Sequence, residues 1–237
     1  MERALPPSTV LLVLVVALAS AAARSWVVQG SAMEVLAGCL EGRVVVVDPG
    51  HGGVDPGATG KGGLIESDLV LDIARRVKSL LEEMGCRVVL TRDGDYDLAG
   101  DNPSLSLSQR KVLDMRARAA LVASTAPDVL LSIHANSFPA PRWFGAQCFY
   151  RPTHPASAHL AACLQRALAE VTRNTHRRPS SNVEHYLLET ATMPACTVEV
   201  GFLSNPHEER LLADAGYRDR VAWALVLGLI YFFSGQR

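Results

Sequence analysis

The chain has 237 residues, with 23 Lys and Arg against 24 Asp and Glu, for a formal net charge of −1. A balance this close gives no support to a nucleic-acid or other polyanion partner. Hydrophobic residues at 49% and charged residues at 20% suit an ordinary globular α/β protein, long enough for one domain with a full core.

At the N-terminus, Arg3 precedes an apolar run from Val10 to Ala23 that ends in small residues before Arg24. A basic start, an apolar centre and small residues at a possible cleavage point follow the plan of an export signal. The run is short for a membrane-spanning helix, which needs about 20 residues. Residues 1–30 are therefore expected to be a signal peptide or membrane anchor that sends the chain out of the cell. Residues 31–42 read as a linker, and 43–235 as one folded domain.

VVVVDPGHGGVDPGATG, residues 44–60, opens that domain. Four β-branched residues predict a strand buried on both faces over 43–48. Pro49 and Pro56 remove donors and the glycines permit positive φ, so 49–65 is a sharply turning loop. A helix follows over about 67–84, with Leu69, Val70, Ile73, Val77, Leu80, Leu81 and Met84 at helical spacing and Gly85 as its stop. CRVVLT (86–91) is a strand and 92–105 a long polar loop. Ser106 or Ser108 can cap a helix running to about Ser124. DVLLSI (128–133) and GAQCFYR (145–151) read as strands, 156–171 as a helix, and YLLE (186–189) and CTVEV (196–200) as strands. Helices over about 206–214 and 217–233 close the chain. The last one, WALVLGLIYFF, is expected to pack in the core, because it falls short of a full span. Strands alternating with helices predict a mostly parallel, twisted, six-stranded sheet with helices on both faces. The five cysteines form no CxxC pair, so they are expected as buried packing residues and not as a zinc site or disulfide framework.

Polar residues converge at the strand ends. His51 follows VVVVDPG, His134 follows LLSI and precedes Ala135 and Asn136, and Glu199 sits inside CTVEV. A glutamate in a buried strand is costly unless it is paired or faces a cation. Glu66 opens the first helix on the face shared with Val70 and Ile73. Two imidazoles and a carboxylate suit Zn²⁺ and leave a fourth position for water, on which a further carboxylate can act as general base. Spacing alone leaves open which glutamate is ligand and which is base. His154, His159, His176, His185 and His207 lie in polar contexts and read as surface residues. His207-Glu208-Glu209-Arg210 is not HExxH, since no second histidine follows.

VVVVDPGHGGVDPGATG, Glu66 at the next helix, SIHAN (132–136) and VEVGFLSNPHEERLL (198–212), in this order, resemble the zinc-dependent N-acetylmuramoyl-L-alanine amidases of the amidase-3 type. The resemblance spans about 43–233. It implies one α/β domain with a six-stranded sheet, zinc held by His51, Glu66 and His134, and Glu199 as the catalytic glutamate. TRDGDYDLA (91–99), SLSQRKVLDMRARAALV (106–122) and WFGAQCFY (143–150) resemble the germination-specific, spore-cortex branch, whose members prepare muramic-δ-lactam. The implied substrate is peptidoglycan, cut between the lactyl group and L-alanine, with an activating lipoprotein as a possible partner. Asp48 is a candidate to orient the His51 ring or to stabilise the turn, and Asn136 a candidate to bind substrate or fix its loop. The competing readings are a vegetative cell-separation amidase, a zinc peptidase or deacylase, and a non-catalytic wall-binding module.

Overall fold

Val44–Pro49 forms strand β1, whose β-branched side chains alternate between the two faces of a sheet. The computed structural model describes residues 38–100, 104–152, 154–181 and 185–235, so the expected leader and most of the expected linker lie outside it. The remaining elements are helix α1 (Glu66–Glu83), β2 (Arg87–Leu90), α2 (Leu107–Thr125), β3 (Val129–Asn136), β4 (Gln147–Phe149), α3 (Ser157–Thr172), α4 (Tyr186–Thr190), β5 (Ala195–Phe202), α5 (Pro206–Ala213) and α6 (Ala215–Ser234). The strand order is β2-β1-β3-β5-β4, parallel except for the antiparallel edge strand β4. Residues Leu40–Arg237 form one compact unit.

The α/β class and the mostly parallel sheet match the sequence reading, but the sheet has five strands among the described residues and not six. YLLE, expected as a strand, is the short helix α4. Leu187 and Leu188 are both buried, in one cluster with Val46, Val122, Leu130 and Ala195. A strand would send two consecutive leucines to opposite faces, whereas a helical turn delivers both to the same core. A four-residue apolar run carries too little periodicity to separate the two cases.

Helices α2 and α4 supply that cluster on one face, and α1, α3 and α6 lie on the other. Helix α2 starts on a capping box, in which Ser106 accepts from the Gln109 N–H and Gln109 returns the bond to the Ser106 N–H. Helix α1 ends where Gly85 turns at φ +82°. Helix α6 packs along α1 and α3, with Leu225, Val226, Leu229, Phe232 and Phe233 buried, as its expected core role requires. No described helix is long and apolar enough to cross a membrane. All five cysteines are buried.

The register of the three central strands places the site. Val46, Leu130 and Ala195 pair in one apolar rung; two residues on, Asp48, Ser132 and Thr197 pair in a buried polar rung. One further step brings His134 opposite Glu199, and Gln147 of β4 opposite Glu199 from the other side. Directly paired residues share a face, so this third rung opens at the carboxyl end of the sheet.

Candidate metal centre

The turn after β1 is held from beneath by two buried arginines. Arg92 donates to the carbonyls of Pro49, Gly50 and Ser67. Arg118 donates to the carbonyls of Pro49 and His51 and to the carboxylates of Asp48 and Asp114. So fixed, His51 takes the left-handed backbone at φ +61°, a conformation that costs a non-glycine residue about 1 kcal/mol or more. The loop then returns through Gly57, φ +69°, where a Cβ would meet Glu66 Oε2 at 2.6 Å. Ala58 N–H donates to Glu66 Oε2, and Glu66 N–H donates to the Ala58 carbonyl, which seats the first residue of α1 beside the turn.

His51, Glu66 and His134 thereby converge, each with one ligand-capable atom, all within 4.8 Å of one another. His51 Nε2 lies 3.1 Å and His134 Nδ1 3.2 Å from the same Glu66 Oε1, and the two imidazoles meet edge to face at 4.9 Å between centroids. Burial works against the Glu66 carboxylate, but its bonds to His134 and His51 outweigh it and hold it far below the ordinary range. For His51, burial disfavours the imidazolium, yet the carboxylates of Glu66 and Asp55 raise its pKa above the ordinary value. Two imidazole nitrogens and a carboxylate oxygen are the donor set of a three-ligand zinc site.

Glu199, across the sheet from His134, points a buried Oε2 with no hydrogen-bond partner among the described residues. Burial is the main cause of its pKa rising to about 7; Glu66 adds to it, and His134 and His51 oppose. A buried, unpartnered carboxylate beside a converged ligand set is the arrangement that a cation and its water would satisfy.

Asp48 does not touch the His51 ring. Its carboxylate accepts from Thr91, Ser132 and Arg118, and it reaches His51 only through the Arg118 bond to the His51 carbonyl. The ring's own partner is Asp55, whose Oδ2 lies 3.0 Å from Nδ1 and whose other oxygen pairs with Lys111. Asn136 ends β3 beyond a bulge, and its carbonyl accepts from the Leu203 N–H. His185, expected at the surface, is half-buried: its Nδ1 lies 3.0 Å from Thr197 Oγ1 and its ring 5.9 Å from that of His134. Burial and neighbouring His134 push its pKa down to about 4, so it is neutral at physiological pH. With His51, His134, Lys111, Tyr186 and Leu187 it lines a cleft of about 240 Å³. Glu208 and Glu209 of the HEER segment are buried: Glu208 accepts from the Gly145 and Phe202 N–H groups, Glu209 from those of Gly62 and Leu64.

Gly50 leaves no room for a side chain, since a Cβ would stand 2.2 Å from the His134 ring. Gly50→Ala is expected to displace that imidazole and to cost about 1–3 kcal/mol of stability. Urea denaturation together with the metal content of the purified variant checks this, and native values for both would refute it.

The N-acetylmuramoyl-L-alanine amidase family of the amidase-3 type matches residues 45–231. A germination-specific N-acetylmuramoyl-L-alanine amidase of Bacillus subtilis (strain 168) is 38% identical over 195 residues, covering 82% of this chain and 81% of the relative. The amidase LytC of the same organism is 31% identical over 194 residues, covering 81% of this chain but 36% of that relative. The CwlD amidase from Clostridioides difficile, solved in complex with the GerS lipoprotein, superposes with a TM-score of 0.79 at 32% identity, covering 81% of this chain and 99% of that one. On these matches the chain belongs to the amidase-3 family and is an N-acetylmuramoyl-L-alanine amidase, a hydrolase of peptidoglycan.

Proposed function

We propose that the chain is a zinc amidase of the spore cortex, exported to the wall side of the membrane, that removes stem peptides on the way to muramic-δ-lactam. The observation carrying the zinc assignment is the convergence of His51, Glu66 and His134 beside the unpartnered Glu199 Oε2. The cortex assignment is supported by the 38% identity to a germination-specific amidase, with 81% of that relative covered. The neighbour solved with a lipoprotein supports an activating lipoprotein as a partner here as well.

His51, Glu66 and His134 would hold the zinc, whose chemistry when bound is to acidify water and polarise the lactyl carbonyl. Glu199 accepts the proton of the attacking water and returns it to the nitrogen of L-alanine as the C–N bond breaks. Asp55 fixes the His51 ring through Nδ1, so that Nε2 faces the ligand cluster. Asp48 acts on His51 through Arg118, and the Asn136 backbone carbonyl ties the end of β3 to the turn after β5.

Incubation of the zinc-loaded chain with peptidoglycan, read by mass spectrometry, is expected to release free peptides beginning with L-alanine. Products cut at another amide would overturn the bond assignment in favour of a zinc peptidase or deacylase. Replacing a ligand, as in His51→Ala, is expected to lower bound zinc in elemental analysis, and stoichiometric zinc in that variant would refute the ligand set. Muropeptides from a deletion strain separate the two physiological roles: loss of muramic lactam from spores supports the cortex reading, whereas chained cells with normal cortex support a vegetative role in cell separation.

A further inference from the structure

The third rung does not end at Glu199. Gln147 pairs with Glu199 on edge strand β4, and its Oε1 accepts from Arg177 Nη1 at 2.9 Å. Arg177 also donates through Nε to the Phe144 carbonyl, and its guanidinium lies over the rings of Phe202, at 4.7 Å, and Trp143, at 5.7 Å. Arg142 stacks on Trp143 at 5.3 Å. Arg142, Trp143, Phe144, His176 and Arg177 line a groove of about 400 Å³. Trp143 and Phe144 are exposed large apolar residues, 40% and 51% accessible.

Neither guanidinium has an ion-pair partner among the described residues, and Arg177 Nη2 makes no hydrogen bond there. The nearby carboxylate of Glu208 is turned inward, onto the Gly145 and Phe202 N–H groups and Asn174. Two guanidiniums held by aromatic faces, with donors to spare, are a recognition surface for carboxylates.

We infer that this groove is the subsite for the carboxylates of the departing stem peptide. The inference rests on the reading of Glu199 as the group that returns a proton to the leaving nitrogen. A proton donor must stand beside the atom it protonates, so the peptide headed by that nitrogen extends past Glu199. On that side the sheet continues to Gln147 of β4, whose side chain accepts from Arg177, whereas on the other it meets His134. The leaving peptide is acidic, with at least its C-terminal carboxylate, and the groove is basic, so charge complementarity picks the occupant. The glycan is then left to the cleft lined by His185, Tyr186 and Lys111.

The test is calorimetric binding of the product peptide, which needs no turnover. The full chain, Arg142→Ala, the double variant Arg142→Ala/Arg177→Gln, and Arg87→Ala on the opposite sheet edge are titrated with a stem tetrapeptide bearing free carboxylates and with the same peptide amidated. Arg142→Ala is expected to weaken the free-carboxylate peptide about 5-fold, and the double variant further, while leaving the amidated peptide unchanged. Arg87→Ala is expected to change neither. With a muramoyl-peptide substrate, the same loss is expected in KM and not in kcat. Equal binding of the two peptides, or an equal loss of both in Arg142→Ala, overturns the inference. So does an Arg142→Ala defect confined to peptide-free glycan or to a lipoprotein partner. If the peptides behave as expected but no muramoyl amide is cut, the reading of Glu199 fails and the subsite stands.

Discussion

Glu199→Gln is expected to lower kcat on a muramoyl peptide about 10²–10⁴-fold, the range that a positioned general acid–base contributes. Glutamine keeps the shape of the side chain but cannot accept the proton of water. The fold is expected to survive, because Glu199 Oε2 has no hydrogen-bond partner to lose. A pH signature separates this from general damage. Burial raises the Glu199 pKa from its ordinary 4.5 to about 7, so the folded metal-free chain binds this proton more tightly than the unfolded chain does. The resulting stabilisation is fully present below 4.5 and is lost as pH climbs through about 7. Thermal melts of the metal-free protein should show that loss in the wild type and a smaller one in Glu199→Gln. Identical pH slopes in the two proteins, or retained turnover in the variant, would sink the assignment.

What was legible in the sequence follows from how each contact is made. Four valines running into Pro-Gly are a local signal, and so are LLSIHAN and CTVEVGF; each announces a strand end with a polar residue on it. Glu66 was legible because helical spacing ties it to Val70 and Ile73. The contacts that complete the site are not local in this sense. Asp55 reaches the His51 ring because His51 is left-handed and Gly52 pairs with Asp55 across the turn, geometry that loop composition does not encode. Arg118 sits on a helix whose only buried residues are Asp114, Arg118 and Val122, so its pattern reads as a solvated face. His185 escaped for the same reason as α4: with the run read as a strand, nothing directed it toward Thr197. The buried polar rung under the site depended on register, which only the assembled sheet supplies.

Arg118→Ala is expected to be the most destabilising of the single changes discussed, at about 3–5 kcal/mol, the usual cost of breaking a buried pair from one side. Asp48 and Arg118 are both nearly inaccessible, at 2% and 1%, and 2.9 Å apart. Burial raises the Asp48 pKa, but Arg118, Thr91 and Ser132 outweigh it and leave the carboxyl below its ordinary 3.8. Without Arg118 the anion stays buried with two hydroxyls, and the carbonyls of Pro49 and His51 lose a donor. Because the His51 carbonyl is one of them, the loss should pass from stability to function: zinc affinity is expected to fall about 10–100-fold, as for other groups that orient a ligand. Asp48→Asn keeps the shape but removes the charge from the same pair, so the two changes should be non-additive in a double-mutant cycle read by urea denaturation and zinc titration. Additive effects would mean that Arg118 serves the turn and Asp48 the sheet separately. The turn carrying His51 would then be held by its carbonyl bonds alone, and the polar rung would have no part in positioning the metal.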